Sequence, residues 1–190
     1  MARSGGEPGR TPDWDALFGV AQAQAGYFTS RQAAQAGDTP QLLANLGDKK
    51  VLRVRRGIYR LVHFPSGDHE GLVVSWLWSE QAGVFSRETA LALHDLSDAL
   101  PNKVRVTMPA SWRRRRLRVP AGLVLHFADV GERDRTSFGA VLITAPLRTI
   151  EDCIEAGLAP GLLDQAVSQA RRRGLITAAE EARSRSEWRG

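Results

Sequence analysis

The side chains best suited to chemistry in this sequence are cations, and their net excess over acidic residues lies in residues 26–62. That segment holds seven lysines and arginines against two aspartates, a net charge of +5, whereas residues 1–25 carry −1 and residues 63–190 carry +1. Lysine and arginine bind phosphate groups, and each such contact releases counterions from a polyanion. The segment is therefore typical of a nucleic-acid surface, and a solvated basic face is the alternative.

Two amides and a lysine recur every four residues inside this segment, at Gln41, Asn45 and Lys49. On a helix, that spacing places them in one outward stripe, while the leucines between them point to another side. An amide both donates to and accepts from adenine, so Gln41 and Asn45 suit base-edge contacts in the major groove. Amides on an exposed helix are also commonly solvated.

The elements around the stripe follow the order of a winged helix-turn-helix. Apolar residues at helical spacing predict a helix over 13–24. Thr29 and Gln32 have the spacing of a capping box ahead of a short, alanine-rich helix. Thr39 and Pro40 suit the N-cap and first position of the helix that carries the stripe.

A basic hairpin follows the stripe. In VLRVRRGIYRL, apolar and basic residues alternate, Arg55-Arg56-Gly57 forms the turn, and Ile58–Leu61 is the second strand. A helix-turn-helix places its second helix in the major groove, and the hairpin would then lie on backbone or minor groove. We expect stripe and hairpin to form one surface for duplex DNA, and a winged helix with protein contacts only is the alternative. The candidate DNA contacts are Thr29, Ser30, Arg31, Gln32, Gln41, Asn45, Lys49, Lys50, Arg53, Arg55, Arg56 and Arg60.

The second half of the chain mixes helix and strand patterns. The patterns predict helices over 70–82, 86–95, 147–156 and 162–172, and strands over 103–108, 123–128 and 140–144. The expected fold class is α+β, with an N-terminal winged helix-turn-helix followed by a mixed α/β C-terminal domain. The expected boundaries are a disordered tail at 1–12, the winged helix-turn-helix at 13–64, the α/β domain at 69–176 and a charged terminal helix at 177–190.

A second basic cluster lies in residues 101–120, which hold seven basic and no acidic side chains. Its centre is Arg113-Arg114-Arg115-Arg116, which suits a second phosphate contact or a dock for an acidic partner. A solvated loop between two strands is the alternative.

Enzymatic chemistry has little support in the sequence. The four histidines show no metal-ligand spacing, and no glycine-rich phosphate loop is present. Cys153 is the single cysteine and lies in a helical pattern, which favours a small buried residue over a nucleophile. Residues 1–10 have no apolar core for a signal peptide, and the longest apolar runs are too short to span a bilayer. We expect a cytoplasmic protein that is not an enzyme, needs no cofactor or metal, and does not bind a membrane.

The run GYFTSRQAAQAG…LLANL…VLRVRRGIYRL resembles the N-terminal winged helix of the AbiEi family of antitoxins. The blocks FSRETALALHDL, PNKVRVTMP, ITAPLRTIEDCI and LLDQAVSQARRRGLI are similar to those that follow the winged helix in that family. The resemblance covers most of residues 13–176.

This resemblance implies the antitoxin half of a two-gene operon, whose partner toxin has the nucleotidyltransferase fold. It implies a winged helix that binds inverted repeats in the operon promoter and represses it, with two copies of the chain on the DNA. It also implies that the C-terminal domain carries the antitoxic activity. By position, the DNA-facing residues would be Thr29–Gln32, Gln41, Asn45, Lys49, Arg53, Arg55 and Arg56. A DNA-binding regulator without a toxin partner is the main alternative, and an enzyme with a nuclease domain is a third.

Overall fold

The computed structural model describes residues 13–37 and 50–189. The chain divides into two compact units, Met1–Trp78 and Ser79–Gly190. The predicted tail at 1–12 lies outside the described residues, and so does the predicted recognition helix with Gln41, Asn45 and Lys49. The expectations for these segments therefore stay predictions.

The first unit has the order of elements that the sequence predicts around a winged helix-turn-helix. Its described elements are α1 (Trp14–Ala23), β1 (Tyr27–Thr29), α2 (Ser30–Gln35), β2 (Val51–Arg55), β3 (Ile58–Leu61) and α3 (Glu70–Trp78). The three strands form one antiparallel sheet in the order β1-β3-β2. Helices α1 and α2 and the β2–β3 hairpin confirm the sequence predictions, whereas β1 is a three-residue strand that the sequence analysis missed.

Helix α1 connects a local cap to the core of the first unit. The Asp13 carboxylate accepts a hydrogen bond from the Ala16 N–H at 2.9 Å, which satisfies one of the free donors at the helix start. Leu17 and Ala21 are four residues apart, lie on one side of the helix and are fully buried. They share a core cluster with Phe28 of β1. The helix is therefore fixed to the sheet that carries the basic hairpin.

Helix α3 belongs to the first unit, although the sequence analysis places the domain boundary between residues 64 and 69. The Tyr27 hydroxyl of β1 donates a hydrogen bond to the Glu70 carboxylate at the start of α3, at 2.9 Å. This contact ties the helix to the three-stranded sheet inside the first compact unit, which ends at Trp78. The helix also ends there rather than at residue 82, since Glu80 has a positive φ of 55° that interrupts helical geometry.

The second unit is a five-stranded mixed sheet with helices, as the predicted mixed α/β domain requires. Its elements are β4 (Val84–Phe85), α4 (Arg87–Leu93), β5 (Val104–Met108), a 3-10 turn (Ala110–Arg114), β6 (Leu123–Phe127), a second 3-10 turn (Glu132–Asp134), β7 (Arg135–Phe138), β8 (Val141–Thr144), α5 (Pro146–Glu155), α6 (Pro160–Arg172) and α7 (Ala178–Arg189). The strand order is β6-β5-β4-β8-β7, with parallel pairing of β5 with β6 and of β4 with β8. The sequence analysis missed β4, which has two residues, and β7, which is polar.

The helices of the second unit share an apolar core that includes Leu91, Ile150 and Leu163. Cys153 is fully buried there, and burial raises the pKa of its thiol to about 12. A thiol in that setting stays protonated at neutral pH, so Cys153 is a packing residue. Helix α7 begins with the predicted capping box, in which the Thr177 N–H donates to the Glu180 carboxylate at 2.7 Å. Among the described residues, every helix is too short or too polar to span a bilayer.

Candidate nucleic-acid interface

The start of helix α2 is built by Thr29 and Gln32. The Gln32 N–H donates to Thr29 Oγ1 at 3.2 Å, and the Thr29 N–H donates to Gln32 Oε1 at 2.8 Å. This reciprocal pair confirms the predicted capping box. Gln32 Nε2 also donates to the side chain of buried Gln24 at 2.9 Å. Two of the predicted DNA contacts, Thr29 and Gln32, therefore hold the helix in place with their polar side-chain atoms.

The tip of the hairpin lies directly beside the start of α2. The Ser30 N–H donates to the Gly57 carbonyl at 2.9 Å, which joins the helix to the β2–β3 turn. Gly57 has a φ of 75°, a conformation that glycine adopts without steric cost. Arg31 follows Ser30 and is exposed, and Arg56 is exposed in the turn. The structure thus brings together one end of α2 and the basic tip of the hairpin.

The arginines of the hairpin lie on both of its faces. Arg53 pairs with Tyr59, and Arg55 pairs with Ile58, with a register shift between the two arginines. Residues that pair directly across an antiparallel ladder share a face, and Tyr59 and Ile58 point to opposite faces. Because the bulge inserts one residue, Arg53 and Arg55 point to opposite faces too. The sequence analysis expects one continuous surface, whereas the register places exposed arginines on two sides of the tip.

Lys50 lies at the start of the hairpin, on the side of α1. Its ammonium is 5.8 Å from the centre of the Trp14 ring, and the residue is exposed. A cation at this distance from an indole ring is attracted by the π face and keeps its charge in water. Lys50 therefore remains available for a phosphate contact, and it is the first described residue after the segment 38–49.

Arg60 differs from the other predicted contacts because its guanidinium is already bound. Nη2 of Arg60 donates to the Phe64 carbonyl at 2.8 Å and to the Glu70 carboxylate at 3.2 Å, and only 16% of the side chain is exposed. The Tyr27 ring lies 5.8 Å from the same guanidinium. Arg60 therefore connects β3 with the start of α3, and its guanidinium is not free for a phosphate contact.

The contacts between Tyr27, Arg60 and Glu70 shift the pKa of Tyr27 and the pKa of Glu70. Burial, followed by the hydrogen bond and charge of Glu70, raises the pKa of Tyr27 to about 12. The hydrogen bond from Tyr27 is the main cause that lowers the pKa of Glu70. Sequence reasoning missed Tyr27 and Glu70, and the only signal was an acidic residue at a helix start. Both residues thus stay in the ionisation states that suit their contacts at neutral pH.

The second basic cluster lies in the second unit and is only partly free. Nη2 of Arg113 donates to the Phe127 carbonyl at 3.0 Å. The Arg115 guanidinium stacks 3.7 Å from the centre of the Trp112 ring and lies 3.8 Å from the Glu80 carboxylate. Arg114 and Arg116 are exposed. Of the four predicted contacts in this run, two are engaged by the fold of the loop itself.

Metal ligands were not expected from the sequence. Over residues 13–37 and 50–189, the structure holds no group of three or more histidine, cysteine, aspartate or glutamate side chains that could bind a metal ion.

Comparisons with known proteins find a family similarity in the first part of the chain. Residues 15–62 match a family model described as a transcriptional regulator, AbiEi antitoxin. A comparison with curated proteins gives no match. The crystal structure of the RV2827C protein from Mycobacterium tuberculosis is similar, with 12% sequence identity, coverage of 95% of this chain and 83% of that chain, and a TM-score of 0.42. The family match extends from α1 to the end of the basic hairpin, and residues 15–62 are therefore similar to the AbiEi antitoxin transcriptional regulators.

Proposed function

We propose that this protein is an autorepressing antitoxin. Its first unit binds inverted repeats in its own operon promoter through the winged helix, with two copies of the chain on the DNA. Its second unit counteracts a nucleotidyltransferase-like toxin encoded in the same operon. The observation that carries the DNA-binding part is the exposed arginine tip of the β2–β3 hairpin, which a hydrogen bond from Ser30 to Gly57 joins to the start of α2.

The two-sided distribution of the arginines supports a minor-groove position for the hairpin. Arg53 and Arg55 point to opposite faces, and Arg56 extends from the turn between the strands. A hairpin that lies along a groove has a sugar–phosphate backbone on each side, so cations on both faces each meet phosphate. Arg31 and Lys50 add positive charge beside α2 and α1. The amides Gln41 and Asn45, which lie outside the described residues, supply base readout in this proposal.

The toxin-directed part of the proposal depends on the family. Members of the family, as the resemblance implies, act against a toxin from the same operon, and the family match covers residues 15–62 only. A regulator without a toxin partner is therefore the second candidate. Co-expression with the adjacent gene separates the two candidates: a toxic neighbour whose effect this chain relieves supports an antitoxin, and a harmless neighbour supports a regulator.

DNA binding is tested by the salt dependence of affinity for the chain's own upstream region. The full chain, Arg55→Ala/Arg56→Ala and a control Arg133→Ala/Arg172→Ala are titrated against a labelled duplex at several salt concentrations. The control removes the same charge from exposed residues of the second unit. Each lost phosphate contact reduces the slope of log K against log salt by about 0.9, so the hairpin variant should lose about 1.8. The proposal fails if the hairpin variant keeps the wild-type slope or if the control loses as much.

A further inference from the structure

Strand β6 forms one edge of the five-stranded sheet and leaves backbone hydrogen-bonding groups open. It pairs with β5 on one side only. The Val104 N–H donates to the Gly122 carbonyl at 2.8 Å, and the Ala128 N–H donates to the Met108 carbonyl at 3.1 Å. In a parallel ladder, these two bonds direct the backbone groups of every second β6 residue, at 124 and 126, toward β5. The groups of Leu123, Leu125 and Phe127 therefore point away from the sheet.

Two of those outward groups are already used. The Leu123 N–H donates to the Pro120 carbonyl at 3.2 Å, and the Phe127 carbonyl accepts from Arg113 at 3.0 Å. The Leu125 N–H and carbonyl, the Leu123 carbonyl and the Phe127 N–H have no hydrogen-bonding partner among the described residues. These four groups have the pattern that one antiparallel strand would satisfy, since a residue opposite Leu125 exchanges two bonds with it, and the residues two positions before and after that residue supply one bond each.

A cationic rim adjoins this open edge. The loop from β5 to β6 runs from 109 to 122 and contains Arg113–Arg116 and Arg118, with no acidic side chain. Arg113 is fixed on the last residue of β6 by its bond to the Phe127 carbonyl. Arg114, Arg116 and Arg118 are exposed, and the structure shows no ion pair for them within the described residues. The free positive charge therefore lies on the connection that leads directly into the open strand.

The opposite edge of the sheet has a different character. Strand β7 presents Arg135, Thr136 and Ser137 to solvent, and the turn before it contains Glu132 and Asp134. Charged and polar residues on an edge strand discourage pairing with another chain. Strand β6 has the sequence LVLHF, and all five of its residues are half-buried. Strand β7 is therefore an edge that disfavours pairing with another chain, whereas β6 is an edge that permits it.

We propose that β6 and its arginine rim bind an acidic, extended segment of a partner protein, which adds to the sheet as a sixth, antiparallel strand. Strand addition uses main-chain hydrogen bonds for affinity and side-chain contacts for specificity. The open groups comprise two donors and two acceptors, which one polypeptide backbone matches, whereas the phosphates of duplex DNA supply acceptors only. The arginines select acidic side chains. This surface lies in the second unit and does not depend on DNA binding by the first.

The test uses a labelled, blocked nonapeptide in which glutamate alternates with valine, titrated with the full chain by fluorescence anisotropy. Binding should be saturable and should slow hydrogen exchange at the Leu125 amide. The same peptide with N-methyl groups on alternate residues has the same charge but loses backbone donors on one side. Loss of two hydrogen bonds should weaken its binding about tenfold.

Arg114→Gln/Arg116→Gln should weaken peptide binding about three- to tenfold, because each exposed ion pair contributes modestly. The control Arg133→Gln/Arg172→Gln removes the same charge elsewhere on the unit and should change affinity less than twofold. The proposal is overturned if the peptide does not bind, or if the N-methylated peptide binds equally well, which would indicate charge attraction alone. It is also overturned if the Arg114/Arg116 variant loses affinity for duplex DNA and not for the peptide. Sedimentation of the chain as a dimer that the peptide does not dissociate would likewise overturn it, because a second copy would then occupy the edge.

Discussion

Arg56 and Arg60 are four residues apart in one hairpin, yet their surroundings assign them different roles. Arg56 is exposed in the turn, whereas Arg60 donates hydrogen bonds to the Phe64 carbonyl and the Glu70 carboxylate. Arg60→Ala should lower the free energy of unfolding of the first unit by about 1–3 kcal/mol, because bonds from a charged donor are lost. Its effect on the salt slope of DNA binding should be small. Urea unfolding and a DNA titration over several salt concentrations measure the two effects.

Arg56→Ala is the matched comparison for Arg60→Ala. Substitution of an exposed arginine usually changes stability by no more than about 0.5 kcal/mol. The loss of one phosphate contact should reduce the salt slope by about 0.9. If the Arg60→Ala protein has normal stability and its salt slope is reduced as much as that of Arg56→Ala, Arg60 contacts DNA and does not hold α3 in place.

Two half-buried histidines should make the stability of the second unit sensitive to acid. Burial lowers the pKa of His94, whose Nε2 lies 2.7 Å from the Thr144 carbonyl, and burial with the charge of Arg87 lowers the pKa of His126. Above the unfolded value of about 6.5, both states are neutral and these groups do not affect stability. As pH falls through that value, the unfolded chain binds protons that the folded unit does not, so the free energy of unfolding decreases.

The contribution of these histidines is isolated by His94→Gln/His126→Gln. Urea unfolding at pH 8, 6.5 and 5 gives the free energy of unfolding of this variant and of the wild type. The two values should become more similar as pH falls, because only the wild type loses stability when these histidines bind protons in the unfolded chain. If the difference in free energy of unfolding between the two proteins is constant across this range, the histidines do not titrate as the structure indicates.

Local spacing revealed some residue roles, and distance along the chain hid others. The capping boxes at Thr29 and Thr177 were predictable because each pairs with a residue three positions later. The bond from Tyr27 to Glu70 joins residues 43 positions apart, and no periodicity in the sequence reports such a pairing. The sequence therefore identified which side chains are cationic but not that Arg60 is bound.

At the scale of elements, the turn after α1 depends on one glycine. Gly26 has a φ of 86°, and a Cβ at this position would lie 2.5 Å from Cγ of Phe64. Gly26→Ala should therefore destabilise the first unit by about 2–4 kcal/mol, from left-handed strain and from steric overlap with the ring. Thermal unfolding followed by circular dichroism measures the loss.

Gly19→Ala is the matched control for Gly26→Ala. Gly19 lies inside α1, and a Cβ there would meet no atom within 4 Å. Alanine is the better helix former by about 0.5–1 kcal/mol, so this variant should gain stability. Equal destabilisation by both substitutions would contradict the steric explanation.

The missed elements share a physical cause. Strands β1 and β4 have three and two residues, too few for an alternating pattern to be visible, and they exist because neighbouring strands pair with them. The bulge in β2 is also set by pairing, so simple alternation placed Arg53 and Arg55 on one face, whereas the register shift separates them. Longer elements such as α6 and β5 have enough residues for their hydrophobic periodicity to be recognised in the sequence.

At the scale of the whole chain, the boundary of the first unit determines which N-terminal fragment folds stably and binds DNA. A fragment 1–64 ends at the predicted boundary and carries a net charge of +4, whereas a fragment 1–78 includes Asp68 and Glu70 and carries +2. If charge alone governed DNA binding, the shorter fragment would bind at least as tightly. The structure predicts the opposite, because only 1–78 contains the Glu70 carboxylate that holds Tyr27 of β1 and Arg60 of β3.

Without Glu70, the 1–64 fragment loses the acceptor of the Tyr27 hydroxyl and one of the acceptors of Arg60, which should lower its stability by about 1–3 kcal/mol. We therefore expect 1–78 to unfold cooperatively and to keep most of the salt slope of the full chain, and 1–64 to be less stable and to bind DNA more weakly. Circular dichroism and anisotropy titrations on the upstream duplex measure both properties. The full chain with Glu70→Gln separates the carboxylate from the rest of α3, and it should lose stability while keeping its salt slope. Tighter DNA binding by a well-folded 1–64 would show that α3 is dispensable and that the boundary read from sequence is the functional one.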